Sequence, residues 1–127
     1  MSELLRIRLE SEDAEDAKRD GRRRKRKGAV FERSVVNHLA RRVSYVCRSS
    51  MSRGVADVVA INSDGLVYLI QCKTDRGNMP SAELRELCAV AAKVNATPLV
   101  ASRPGIRFYA VADGGVLLPT RAPIDEP

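Results

Sequence analysis

The chain predicts an α/β domain in which a mixed β-sheet carries helices on its faces. Three observations support this. Apolar residues recur at helical spacing twice, over Gly28–Arg42 and Ser81–Val94. Between those segments lie three short strand-like runs, two of them joined by a polar, glycine-containing turn that reads as a hairpin. Two more such runs follow the second helical segment, which makes that helix a crossover between strands of one sheet. The predicted order is α, β, β, β, α, β, β.

Each element has its own local grounds. In the first helix Phe31, Val35, Leu39 and Val43 fall at four-residue steps, and Val36 and Ala40 widen the stripe. Glu32 stands in its first turn, where a carboxylate suits the helix dipole. Tyr45, Val46 and Cys47 begin to alternate as a strand that ends at Arg48. Ser49–Gly54 is small and polar, hence a loop. The hairpin runs from Asp57 through Val58–Ile61, turns at Asn62–Gly65, and returns from Leu66 to Lys73. A loop containing Gly77 and Pro80 precedes the second helix, where Leu84, Leu87, Cys88, Ala91 and Val94 form the stripe. Ser81 reads as its N-cap, Glu83 as a first-turn acid and Asn95 as its stop. Pro98–Ser102 and Ile106–Ala112 are the last two strands, separated by a turn at Arg103–Gly105. The remainder holds Gly114, Gly115, Pro119, Pro123 and Pro127 and reads as a loose tail on which Val116–Leu118 can dock.

Composition sets the class. A length of 127 residues with 44% apolar and 30% charged residues suits one globular domain. Aromatics are 4% and tryptophan is absent, so the core must be aliphatic. Cys47, Cys72 and Cys88 lack CxxC spacing and sit in apolar runs, which points to buried thiols in a reducing cytosol and argues against a zinc site or a disulfide framework. No apolar run approaches the roughly 20 residues of a membrane helix, and the N-terminus lacks an apolar signal segment. These features predict an intracellular protein with no membrane partner.

The net charge of +6 favours a polyanionic partner, and the charge is concentrated. Lys18–Lys27 carries eight basic residues in ten, after an acidic stretch at Glu10–Asp16. Like charges at that density repel one another and stay solvated. Residues 1–27 are therefore expected to be a flexible basic arm, 28–112 the folded domain and 113–127 the tail. In the arm, Arg22, Arg23, Arg24, Lys25, Arg26 and Lys27 are candidate phosphate contacts of the salt-sensitive kind.

The chemistry is expected at the hairpin. Side chains alternate along a strand, so Gln71 and Lys73 share a face, and hairpin pairing brings Asp57 to the same end. A carboxylate, an amide oxygen and an ammonium then converge, which suits a hard divalent cation beside a phosphate. His38, the single histidine, has no second histidine or cysteine at ligand spacing and is assigned no chemistry.

Several stretches together resemble a known family. Arg26–Arg33, Val46–Ser49, Ala56–Ala60, Gln71–Lys73, Pro98–Arg103 and Arg107–Phe108 resemble, in order, segments of the archaeal Holliday-junction resolvases, members of the PD-(D/E)XK nuclease superfamily. The resemblance spans about Arg26 to Val111 and implies a restriction-endonuclease-like fold, an αβββαβ(β) core whose central mixed sheet is flanked by helices. It makes Asp57 the metal-binding acid, places Gln71 where a second acid stands, makes Lys73 the motif lysine and aims Glu32 at the same metal centre. The Cys72 backbone carbonyl would add a neutral ligand. Arg33, Arg48 and Arg103 fall at DNA-contacting positions, and Ser49, Ser52 and Arg53 lie where the family has an active-site loop. The implied cofactor is Mg²⁺, with Mn²⁺ as a substitute. The implied partners are a four-way DNA junction and a second copy of the chain.

Two departures stand out. Ala56 replaces the proline usually found before the first acid. Gln71 replaces an acid and so removes one negative ligand, while Asp64 lies in the far turn and Asp75 offers a carboxylate two residues beyond Lys73. The expected function is metal-dependent, structure-specific DNA cleavage that resolves Holliday junctions. The alternatives are a non-catalytic DNA-binding module on a decayed nuclease fold and a nuclease acting on other DNA structures.

Overall fold

A computed structural model of the chain describes residues 22, 26–49, 54–74, 80–112 and 115–125. Among these, two helices pack on one six-stranded sheet. Helix α1 covers 26–40. Strands β1 (Tyr45–Arg48), β2 (Val58–Ile61) and β3 (Val67–Lys73) follow, then α2 (Ser81–Lys93), β4 (Thr97–Ser102), β5 (Arg107–Ala112) and β6 (Val116–Thr120). The strands lie in sequence order across the sheet. Every neighbouring pair is antiparallel except β3 and β4, which are parallel and are joined through α2.

Strand alternation sorts the apolar residues onto two faces. Val58, Ala60, Ile70, Leu99, Ala101 and Phe108 form one core with Phe31, Val35, Leu39 and Val43. Leu69, Leu87 and Ala91 form a second, and Leu84, Val100 and Tyr109 a third, both on the α2 side. Ile70 and Leu69 are adjacent in sequence yet bury against different helices, as a strand of period two between two helical layers requires. The core is mostly aliphatic, as composition implies.

Local chemistry explains the boundaries. The hairpin turn is organised by Asn62, whose Oδ1 accepts from the N–H of Asp64 at 3.0 Å and of Leu66 at 2.9 Å, while Gly65 takes a φ of 82° that favours glycine. Helix α2 ends where Asn95 enters the left-handed region at φ 55° and the Ala96 N–H donates back to the Ala91 carbonyl at 2.8 Å.

Several expectations need correction. Helix α1 includes Arg26 and Lys27, so the folded unit begins before Gly28. Ala40 is exposed and does not join the stripe. The N-cap of α2 is Pro80, with no side-chain cap, and Ser81 is the first helical residue. Val94 is exposed at the C-cap. The three cysteines are free but half-buried.

The largest correction concerns the C-terminal stretch. Val116–Thr120 is a sixth strand, paired antiparallel with β5. Glycine and proline suggested a tail, but an edge strand tolerates proline because one side of its ladder needs no partner. Beyond it Asp125 ties the chain down, accepting from Ser44 Oγ at 3.0 Å and from the Ser63 N–H at 2.6 Å. Residues 1–21, including the acidic stretch, lie outside the described residues, as do 23–25, 50–53, 75–79, 113–114 and 126–127.

The core makes a direct stability prediction. Leu87 is fully buried against the sheet. Leu87→Ala is expected to cost about 2–5 kcal/mol in urea unfolding. Val94→Ala, at an exposed position, is expected to stay within about 0.5 kcal/mol of the parent.

Candidate functional site at the open end of β2, β3 and β4

The site lies where β2 starts and where β3 and β4 end together. In the β2–β3 register Val58 pairs with Ile70, so one step further Asp57 stands opposite Gln71. Backbone bonds extend the pairing, since the Asp57 N–H donates to the Ile70 carbonyl at 2.9 Å and the Ser49 N–H to the Asp57 carbonyl at 2.8 Å. The side chain is held as well: Asp57 Oδ2 accepts from the Cys72 N–H at 2.8 Å. On β4, Ser102 lies beside Lys73 and is fully buried.

Gln71 and Lys73 point to the same face, as expected, and that face is the one α2 covers. There Gln71 Nε2 donates to Glu83 Oε2 at 3.3 Å, and Lys73 Nζ lies 3.1 Å from the same oxygen. With side chains 30% and 42% exposed, the Lys73–Glu83 pair is worth ~1 kcal/mol at most. Its placement therefore matters more than its energy. Gln71 is buried, and its Oε1 has no hydrogen-bond partner among the described residues. A buried acceptor left unpaired costs about 1–3 kcal/mol, which points to a ligand-facing role for that oxygen.

Glu32 approaches from within α1, as the seventh residue of 26–40, so the first-turn place expected for it does not hold. Its Oε2 accepts from Arg48 Nε at 2.7 Å, so helix and β1 are joined at the site by a charge-assisted bond. Glu32 thereby orients Arg48, and its charge is felt at Asp57. Arg103 sits at the end of β4 with its guanidinium 5.3 Å from the centre of the Phe31 ring. Together with Ser34 and Thr74 they line an open groove of about 740 Å³ beside the strand ends. Arg33, Arg22, Arg26 and Lys27 are exposed on helical backbone, and Ser49 is half-buried at the end of β1. Arg23, Arg24, Lys25, Ser52, Arg53 and Asp75 lie outside the described residues.

Among the described residues no three His, Cys, Asp or Glu side chains are gathered closely enough to hold a metal ion by themselves. The donor set is nonetheless hard and oxygen-based. The Asp57 carboxylate, the unpartnered Gln71 Oε1, Glu32 and the Cys72 carbonyl fit a divalent cation of the Mg²⁺ type better than a thiolate-seeking one. The Cys72 thiol takes no part, because it packs into the α1-side core and burial, ahead of the Asp57 and Glu32 charges, pushes its pKa far up. His38 is half-buried with its ring 6.1 Å from that of Phe108, and burial followed by the nearby Arg42 charge lowers its pKa. Nothing brings it to the site.

The model of the family described as archaeal Holliday junction resolvase (Hjc) matches residues 23–113. The chain belongs to that family. Resolvases of this family are endonucleases. Among solved structures, the chain is similar to Hjc of Archaeoglobus fulgidus, a Holliday junction resolvase from an archaeal hyperthermophile. The identity is 25% and the TM-score 0.55, over 66% of this chain and 72% of that one. No curated protein matches the chain. Among the described residues no helix is long and apolar enough to cross a membrane.

One residue at this candidate site lies outside the expected set. By sequence Glu83 is only a first-turn acid of α2. The signal was present: Gln71 and Lys73 share a face, the helix that follows them must cover one face, and its first acid lies close to its start.

The electrostatics of Asp57 give a pH-dependent prediction. Burial raises its pKa above the ordinary value of 3.8, the Cys72 N–H opposes that, Glu32 and Glu83 add to it and Lys73 subtracts. A raised folded-state pKa makes the ionised carboxylate a destabilising group. That penalty is absent below the unfolded-state pKa and appears as pH rises through the folded one. With EDTA present, Asp57→Asn is expected to raise Tm at about pH 7, and the gain is expected to vanish by about pH 4. A Tm difference independent of pH would contradict this account.

Proposed function

We propose that the protein resolves four-way DNA junctions by Mg²⁺-dependent phosphodiester hydrolysis, acting as a homodimer in the cytoplasm. The observation that carries this is the meeting of Asp57, Gln71 and Lys73 at one sheet end in a chain of the Holliday junction resolvase family.

Hydrolysis joins a water oxygen to phosphorus, breaks the bond from phosphorus to one ester oxygen and leaves that oxygen protonated. A bound divalent cation supplies positive charge beside the phosphate and a more acidic water. Asp57 and Glu32 would hold it with charge, and Gln71 Oε1 and the Cys72 carbonyl with neutral oxygens. Asp57 is positioned for this by the Cys72 N–H, so the strand that carries the motif also orients its partner acid. Lys73 places a compact cation at the same end, where it can orient the water or stabilise charge developing on the phosphate. Arg33, Arg48 and Arg103 would contact the sugar–phosphate backbone, as would Ser49, Ser52 and Arg53 from the following loop. The basic run at 22–27 would hold the junction arms without reading sequence. We take the arm, the nuclease domain and the short C-terminal segment as the working division of the chain, with the domain extended to include α1 from residue 26 and β6.

The decisive experiment incubates the full chain with a labelled four-way junction and Mg²⁺. Paired symmetric nicks are expected. Asp57→Ala and Lys73→Ala are each expected to reduce the rate by about 10² or more. Junction binding with no cleavage in Mg²⁺ or Mn²⁺ would favour the binding-only module. Preferential cutting of flaps or ends would favour the other nuclease reading.

A dimer is supported by the sheet edge. Strand β6 exposes Val116 and Leu118, 55% and 51% accessible, on an edge with no neighbour among the described residues. Two copies would present two sites to two symmetry-related strands. Sedimentation is expected to show a dimer at micromolar concentration, and the Val116→Lys, Leu118→Lys double variant is expected to sediment as a monomer. A monomeric parent chain would remove the dimer from this account.

A further inference from the structure

We propose that Glu83, in the first turn of α2, supplies a further carboxylate to the cation site beside Asp57 and Glu32, the charge that Gln71 on β3 does not carry. This deepens the metal-dependent nuclease reading of the same site and rests on it.

The contacts point that way. Glu83 Oε2 is 3.3 Å from Gln71 Nε2 and 3.1 Å from Lys73 Nζ, so one carboxylate joins the two motif residues of β3. A second observation is independent of that contact. Gln71 is only 8% exposed, its Nε2 is spent on Glu83, and its Oε1 is buried without a partner among the described residues. The amide thus keeps a buried acceptor oxygen beside the donor it spends on the acid.

The two substitutions of charge fit each other. A carboxylate at position 71 would stand beside the Glu83 carboxylate and repel it. An amide there donates to it instead. The negative charge missing from the strand is regained from the helix across one hydrogen bond, and Lys73 fixes the carboxylate in place. Topology makes this possible. Gln71 and Lys73 face the side of the sheet that α2 covers, and α2 begins soon after β3 ends. The positive end of α2 also favours an anion in its first turn. Glu83 contributes to the field at Asp57, which places the two acids within electrostatic reach of each other. A purely structural role, pairing with Lys73 on the surface, accounts for the 3.1 Å contact but not for the unpartnered Gln71 oxygen.

Calorimetric titration of the full chain with Mn²⁺, without DNA, tests the assignment by affinity instead of activity. The parent chain is expected to bind Mn²⁺, and Asp57→Asn to lose most of that binding. Glu83→Gln is expected to weaken affinity about ten-fold or more, since charge count tunes such sites. Adding Gln71→Glu to Glu83→Gln returns the acid to the strand and is expected to recover affinity to within about three-fold of the parent. Thermal unfolding in EDTA checks that each variant is folded, and the side chain of Glu83 is 42% exposed, so its amide is sterically tolerated. Affinity of Glu83→Gln within about two-fold of the parent overturns the assignment, as does a parent chain that takes up no Mn²⁺. Junction cleavage measured in parallel separates the two ideas. Glu83-dependent Mn²⁺ binding without cleavage counts against the nuclease reading alone. Cleavage with Glu83-independent binding counts against Glu83 alone.

Discussion

The register between β2 and β3 governs the rest of the molecule. It pairs Val58 with Ile70 and, one step on, sets Asp57 across from Gln71 with the Cys72 N–H against the Asp57 carboxylate. A slip of one residue would turn Ile70 out of the α1-side core and carry Gln71 and Lys73 away from α2. The apolar packing that stabilises the sheet therefore also determines which side chains meet at its open end. Val58 and Ile70 are both fully buried, which holds that register against slippage.

Around this hairpin, each helix brings one acid to the same end. Helix α1 carries Glu32 to Arg48, and α2 carries Glu83 to Gln71 and Lys73. The two helices lie on opposite faces of the sheet, so the site is approached by charge from both sides. Burial of Asp57 raises its pKa, and the carboxylates on either side raise it further, ahead of what Lys73 returns. A site with this balance favours a cation and is costly without one, as is common where pKa values are displaced for function.

Much of this was legible in the residues. Four-residue spacing located Phe31, Val35 and Leu39 on the buried stripe of α1, and strand period put Gln71 and Lys73 on one face. Glu83 was harder to see, because its acid type and its place in a first turn already had an ordinary explanation in the helix dipole. The sixth strand is hidden in the sequence for a related reason. Gly114, Gly115 and Pro119 are local turn signals, and only the free edge of β5 makes Val116–Thr120 a strand. The Ser81 side chain suits capping, yet Pro80 holds that place by backbone geometry alone.

By itself the sequence determined the element order through β5, the aliphatic two-layer core and the identity of Asp57, Gln71 and Lys73 as one group. These follow from periodicity and from one hairpin, which are local properties of the chain. Tertiary structure decided what meets that group: the Arg48 bond to Glu32, the reach of Glu83 across to β3, and the buried Gln71 oxygen left without a partner among the described residues. Those contacts depend on how two helices are laid over opposite faces of a sheet. No local pattern encodes that distance, because it is set by the packing of residues far apart in the chain.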